Sequence, residues 1–275
     1  MPRPIPEQVV VITGASSGIG RETALELATR QASIVLAARN QEALEEVARE
    51  VERIGGQAEV VATDVSGYAD VEQLAARAVE RFGRVDTWVN NAAVSEYATV
   101  EQMTIEEVDR IVQVNLLGQV YGVKAVLPHL VRQGEGTIIN VGSALSERAI
   151  PLQSVYVATK HAIRGFTDAL RLELLKDHPG INVTMIEPSS INTPLFNLAR
   201  SKMGVKPLPI PPIYEPRVVA EAIAFAAEHP RRTIVVGGSG KFMTLMDRLS
   251  PELVDWYMLQ GDRMWKNQQT DQPDQ

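Results

Sequence analysis

Tyr156 and Lys160 stand four residues apart, as Tyr-x-x-x-Lys, at the start of a stretch with helical periodicity. That spacing puts both side chains on one helix face. A tyrosine hydroxyl has an ordinary pKa of about 10 and is a poor base at neutral pH. A neighbouring ammonium favours the phenolate and lowers that value. Such a pair can give or take the proton on a substrate oxygen. Ser143 lies 13 residues before Tyr156, at the carboxyl end of an apolar run, where its hydroxyl can hold the same oxygen. Tyr-x-x-x-Lys alone is a common helix-surface pattern. The serine and the motifs that follow give it meaning.

The second chemical stretch is Thr13-Gly14-Ala15-Ser16-Ser17-Gly18-Ile19-Gly20. It follows the apolar run Val9-Val10-Val11-Ile12, which reads as a buried parallel strand, and precedes a helical pattern over 22–29. Strand, glycine turn and helix make a dinucleotide site. Gly14 permits the turn off the strand, Gly18 a close approach to a pyrophosphate, and Gly20 tight packing of helix on sheet. The amides of the loop and the positive helix end face the phosphates. About 20 residues on, NAD-preferring folds place an acid that binds the ribose 2′-hydroxyl. Here the position is Ala38, followed by Arg39. No carboxylate repels a 2′-phosphate and a guanidinium is available to pair with it, so NADP(H) is expected over NAD(H), with NAD(H) as a possible second cofactor.

These residues need a scaffold, and strands and helices alternate to supply it. Strands are predicted over 9–12, 33–38, 58–62, 85–90, 137–141, 181–186 and 233–236, and helices over 22–29, 41–54, 69–82, 104–130, 155–176 and 217–228. Thr104-x-x-Glu107 is a capping box. Strict alternation implies an α/β fold: a doubly wound, Rossmann-type parallel sheet of about seven strands with helices on both faces. One domain over 1–240 is expected, with an irregular proline-rich loop over 188–216 in the position of a substrate lid. Residues 241–275 form a helical extension. In it Phe242, Leu245, Met246 and Leu249 recur at helical spacing, and Ser250-Pro251 opens a helix with Leu253, Trp256, Tyr257 and Met264. Docking on this subunit or its neighbour is the plain reading of that extension. Covering the substrate mouth or touching a membrane surface are the rarer ones.

Composition narrows the class. The chain has 275 residues, 45% of them apolar, which suits one large α/β domain. There is no cysteine, so disulfides and thiolate metal sites are excluded and no metal is expected. A net charge of −7 argues against a nucleic-acid surface. No apolar run approaches the ~20 residues of a membrane span, and a cytoplasmic protein is the default.

Taken together, Thr13-Gly14-x-x-x-Gly18-x-Gly20, Asp64, Asn90-Asn91-Ala92, Asn115, Ser143, Tyr156-x-x-x-Lys160 and Pro188 through Thr193 resemble the short-chain dehydrogenase/reductase family in its classical form. The resemblance covers roughly 9–193. It implies Tyr156 as general acid/base, Lys160 lowering its pKa and binding the nicotinamide ribose, and Ser143 polarising the carbonyl. Asn115 would hold a water linking Lys160 to solvent. Asp64 would bond the adenine with Val65 beside it, and Asn91 and Ala92 would steady the central strand near the cofactor. Thr193 would bind the carboxamide, with Pro188 and Ile191 along the nicotinamide. The family also implies dimers or tetramers built on the long helices, to which Leu116, Val120, Phe166 and Leu170 could contribute apolar surface. Three positions depart from the common pattern: Ala93 and Ser189 stand where glycine is usual, and Gly142 where serine is frequent. They alter pocket shape and remove no reacting group.

The expected activity is hydride transfer between a nicotinamide and a carbonyl or secondary alcohol, with reduction favoved by NADP(H). Leu145, Ile150, Leu152, Leu195, Phe196 and Leu198 border the family's pocket, so a largely apolar ketone or alcohol is expected: steroid-like, retinoid-like, fatty-acyl or xenobiotic. The alternatives are a catalytically degenerate dinucleotide sensor, which should lack Tyr156 or Lys160, and an epimerase or dehydratase, whose glycine spacing differs.

Overall fold

A computed structural model describes residues 2–238, 250–259 and 268–273. Seven parallel strands form the central sheet: β1 (Val9–Thr13), β2 (Ser33–Ala38), β3 (Gln57–Ala62), β4 (Thr87–Asn90), β6 (Gly136–Val141), β7 (Ile181–Pro188) and β10 (Thr233–Val236). Their spatial order is β10-β7-β6-β4-β1-β2-β3. The direction of winding reverses between β1 and β4, which opens a crevice at their carboxyl ends, the place where doubly wound sheets bind ligands. All seven strands fall where the apolar runs predict them.

Both faces of the sheet are buried, which is why its strands read as continuous apolar runs. Along β1, Val10 and Ile12 face one core and Val9 and Val11 the other. The first core lies beneath α1 (Gly18–Thr29), α2 (Gln41–Arg53) and α8 (Pro216–Glu228). The second lies beneath α3 (Tyr68–Phe82), α5 (Gly118–Gln133) and α6 (Ser154–Asp177). Leu170 is only 5% exposed and packs in this second core, so it is not the surface contributor expected of it.

The long helix predicted from Thr104 has an internal irregularity. It runs as α4 (Ile105–Val112), a π turn over Gln113–Leu117, and α5. Its start is the capping box: the Thr104 amide donates to Glu107 Oε2 at 2.7 Å and the Glu107 amide to Thr104 Oγ1 at 3.3 Å. The π turn carries Asn115; such turns concentrate at functional sites.

The loop after β7 has structure of its own. A short helix α7 (Leu195–Leu198) is followed by β8 (Arg200–Ser201), which pairs in parallel with β5 (Glu96–Tyr97), and by β9 (Val205–Pro207). The chain's end returns to this loop: β11 (Gln269–Pro273) pairs antiparallel with β9, behind a helix α9 (Pro251–Leu259). Helix α9 begins where Ser250-Pro251 predicts it. Phe242, Leu245, Met246, Leu249 and Met264 lie outside the described residues. No described helix is long and apolar enough to cross a membrane.

Candidate active site

The crevice is a single cavity of about 860 Å³ running from Arg39 to Phe196. At its centre the ends of β1 and β4 are sewn together. Asn91 Nδ2 donates to the carbonyls of Thr13 at 2.9 Å and Gly14 at 3.2 Å. Thr13 Oγ1 accepts the amides of Asn91 at 3.0 Å and Ala92 at 3.2 Å. The turn between β1 and α1 leaves no room for a side chain at Gly14 or Gly20. Gly14 has φ +68°, and a Cβ on Gly20 would lie 2.2 Å from the Gly14 carbonyl oxygen. The cavity wall here is Gly14, Ser16, Ser17, Gly18 and Ile19, while Gly20 packs behind it. Ser17 caps α1 without a side-chain bond to it, so the first helical amides remain turned to the cavity. That hollow of backbone suits a pyrophosphate.

One end of the cavity is charged. Arg39 is exposed at the end of β2 and lines it with Ala38 and Asn40, whose side chain caps α2 by accepting the Ala43 amide at 3.1 Å. Asp64 and Val65 line the same end. Burial pushes the Asp64 carboxyl up, but bonds from the Ser66 amide and hydroxyl and the Arg110 guanidinium outweigh it and hold it below the usual range. Arg110 Nη1 lies 3.3 Å from Asp64 Oδ2. Nothing in the sequence around Arg110 points to this role, because it sits 46 residues from Asp64 on another element.

The reactive groups meet at the other end of the dinucleotide cleft. Ser143, Tyr156 and Lys160 all line it. The Ser143 hydroxyl stands beside the Tyr156 phenol and favours its charged form. Lys160 is 2% exposed, its Nζ 5.4 Å from the centre of the Tyr156 ring and donating to the Val141 carbonyl at 3.1 Å. The tyrosine's proton affinity runs opposite to expectation. Burial pushes the Tyr156 phenol up to about 12, against the lowering effect of Ser143, and burial brings the Lys160 ammonium down to about 8. Desolvation disfavours the charged form of each. The tyrosine is therefore held as a neutral, proton-loaded acid.

Asn115 lies behind the cavity rather than in it. Its Oδ1 accepts the Val94 amide at 2.8 Å, and its Nδ2 donates to the Val94 carbonyl at 2.9 Å and to Thr159 Oγ1 at 3.4 Å. Both side-chain donors are thus engaged, clamping the segment after β4 to α6. One Oδ1 lone pair is left from which a water could be held.

The segment after β7 closes over the glycine loop. Pro188, Ile191 and Thr193 line the cavity, and a Cβ on Gly18 would meet Thr193 Cβ at 3.2 Å. Ser189 keeps the backbone on the sheet edge: its amide donates to the Val236 carbonyl at 2.8 Å. Beyond lies the substrate half, lined by Leu145, Ile150, Leu195, Phe196 and Leu198. Leu152 does not line it. It is turned aside at φ +68° and its carbonyl accepts the Ala98 amide at 3.0 Å. Tyr97, Gln153, Arg148 and Gln268 do line it and were not legible beforehand. Gln268, in the described segment 268–273, is buried and lines this part of the cavity.

The family model for short chain dehydrogenases matches residues 8–204. The chain belongs to the short-chain dehydrogenase/reductase family. It is 41% identical over 269 residues to the uncharacterized oxidoreductase YxnA of Bacillus subtilis (strain 168), covering 97% of this chain and 75% of that protein. Among solved structures it is similar to an alcohol dehydrogenase from Thermococcus sibiricus complexed with 5-hydroxy-NADP, at 31% identity and a TM-score of 0.73, covering 83% of this chain and 95% of that one. It is also similar to the 3-ketoacyl-(acyl-carrier-protein) reductase from Brucella melitensis complexed with NADH, at 32% identity and a TM-score of 0.74, covering 83% and 96%. As a short-chain dehydrogenase/reductase the protein is a nicotinamide-dependent oxidoreductase.

Proposed function

We propose that the protein reduces a largely apolar ketone or aldehyde to an alcohol, with NADP(H) as the preferred cofactor. The observation that carries this reading is the buried Tyr156, grouped with Ser143 and Lys160 at the inner end of the dinucleotide cleft. A nicotinamide dinucleotide, when bound, supplies the hydride in that direction. The hollow of Gly14, Ser16, Ser17, Gly18 and Ile19 fits its pyrophosphate, and Asp64, Val65, Asn91, Ala92, Pro188, Ile191 and Thr193 line the rest of its path. Ser143 holds the substrate oxygen, and Tyr156 gives its proton to that oxygen. Lys160 then offsets the charge left on the phenolate. Asn115 braces Val94 and Thr159, and a water on its free lone pair returns the proton from solvent.

Arg39 supports the NADP(H) preference. It is exposed at the mouth of the cleft, and among the described residues no carboxylate is paired with it. A 2′-phosphate would find a ready guanidinium there. Leu145, Ile150, Leu195 and Phe196 support an apolar substrate. A cytoplasmic setting and a dimer or tetramer built on α5 and α6 belong to the same proposal.

Titration of the purified protein with NADPH and NADH, followed by nicotinamide fluorescence, tests the cofactor. Tighter NADPH binding by about tenfold or more is expected, as a charge-assisted pair is worth ~1.5–3 kcal/mol. A preference for NADH would overturn it. Tyr156→Phe should lose turnover of a ketone panel by about 100-fold or more and keep its dinucleotide affinity. Unchanged turnover would overturn the role of Tyr156.

A further inference from the structure

The loop between β7 and α8 walls the substrate half, and its middle is fastened to the body at a point outside the cavity. The Lys202 amide donates to the Tyr97 carbonyl at 2.8 Å, extending the β5–β8 pairing. Its side chain then turns down between two acids. Lys202 Nζ bonds Glu107 Oε2, donates to the Gln102 carbonyl at 2.7 Å, and lies 3.6 Å from Glu96 Oε1. Glu96 is 4% exposed and Glu107 8%.

We propose that Lys202 is a positioning residue, an electrostatic latch that holds the substrate loop closed by seating its ammonium between Glu96 and Glu107. Two carboxylates buried side by side are costly unless a cation is shared between them. The cation comes from the loop, so lifting the loop leaves the acids facing each other. Other groups do not replace it. Glu107 Oε2 also accepts the Thr104 amide at 2.7 Å, which ends the α4 cap but brings no charge. Arg200 Nη1 donates to Glu107 Oε1 at 3.2 Å, is mostly exposed, and comes from the same loop. Glu106, next along α4, adds a further negative charge. Among the described residues Glu96 Oε1 has no hydrogen bond, and the Lys202 ammonium is its ion-pair partner.

The charges behave as this arrangement requires. The bond from Lys202, helped by the Thr104 amide, holds the Glu107 carboxyl down to about 2. Burial, with the negative Glu107 beside it, pushes Glu96 up. The latch is coupled to the pocket through one residue. Tyr97 follows Glu96 directly, lines the substrate half, and has its ring 6.4 Å from that of Phe196 on α7 of the loop. With Lys202 seated, Phe196 rests over Tyr97 and the substrate half is walled.

The inference rests on the proposed function for its substrate, so its first test uses no substrate. The full-length protein and Lys202→Met are exposed to chymotrypsin, and cleavage within 195–208 is followed by mass spectrometry. At about pH 8 the variant should be cut about tenfold faster, because the population of open loop sets the rate. At about pH 5.5 a proton shared by Glu96 and Glu107 removes the repulsion, and the difference should shrink to about threefold or less. Glu96→Gln in the Lys202→Met background should restore protection at the higher pH, and Lys202→Arg should retain it. With a ketone substrate, Lys202→Met should raise KM about tenfold and leave kcat and NADPH affinity within about twofold. Equal cleavage of variant and parent at both pH values would overturn the latch, as would a loss that neither acid pH nor Glu96→Gln relieves. Cleavage behaving as described in a protein that reduces no ketone would overturn the proposed substrate and leave the latch standing.

Discussion

The side-chain amide of Asn91 donates to the main-chain carbonyl of Thr13 at 2.9 Å, joining the carboxyl ends of β4 and β1 at the point where the sheet's winding reverses. The same nitrogen reaches the Gly14 carbonyl at 3.2 Å. Asn91→Ala leaves two partly buried carbonyls without this donor, at a cost of about 1–3 kcal/mol. The variant should have a lower Tm and bind dinucleotide about tenfold more weakly in a fluorescence titration. Unchanged affinity would mean that the glycine turn holds its shape without β4.

Gly20 is the least replaceable glycine of the turn. Its added Cβ would lie 2.2 Å from the Gly14 oxygen and 2.7 Å from Asn91 Nδ2. Gly20→Ala should abolish measurable dinucleotide binding and lower stability by about 2 kcal/mol or more. Gly165→Ala is the control. Gly165 lies in α6 with nothing within 4 Å of an added Cβ, so the substitution should be neutral or stabilising by up to ~1 kcal/mol.

The titrations of Tyr156 and Lys160 set an alkaline limit on reduction. Tyr156 at about 12 stays protonated through neutrality, whereas Lys160 at about 8 loses its charge first. The kcat/KM for a ketone should therefore hold below that value and fall above it. Lys160→Met should lower the rate at every pH and lose that alkaline limb. A limb that persists in the variant would assign it to another group.

Glu187, at the end of β7, is 1% exposed, and burial raises its carboxyl to about 7 although Arg164 Nη1 lies 2.9 Å away. Its folded pKa is above its unfolded one. The protonated form therefore contributes stability that is complete below the ordinary carboxylate pKa and is lost as pH rises through about 7. Glu187→Gln should remove a pH dependence of stability on the order of 2 kcal/mol between acid and neutral pH, read from urea midpoints. Parallel curves for variant and parent would refute the shift. Arg164 also pairs with Glu147, in the turn that follows Ser143, so this acid sits where β7, α6 and the serine turn meet.

What the sequence determined by itself is the part of the protein written in short repeats. Seven apolar runs became seven parallel strands, the inner ones buried on both faces, because a strand between two helix layers needs apolar residues at nearly every position. Thr104 and Glu107 predicted a helix start that the hydrogen bonds complete. Gly14 and Gly20 stand where an added Cβ would clash, Gly18 has positive φ, and Ser143, Tyr156 and Lys160 line one cavity.

The tertiary structure decided whatever depends on residues far apart in the chain. Asp64 is held by Arg110, Asn115 is spent on Val94 and Thr159, and Leu152 is turned out of the pocket while Gln268 is brought into it. Lys202 finds its two acids about a hundred residues upstream. The sign of the Tyr156 shift was also decided there. Spacing brings an ammonium near a phenol, but only the packing around them sets how much water both lose, and here burial moves the phenol up and the ammonium down.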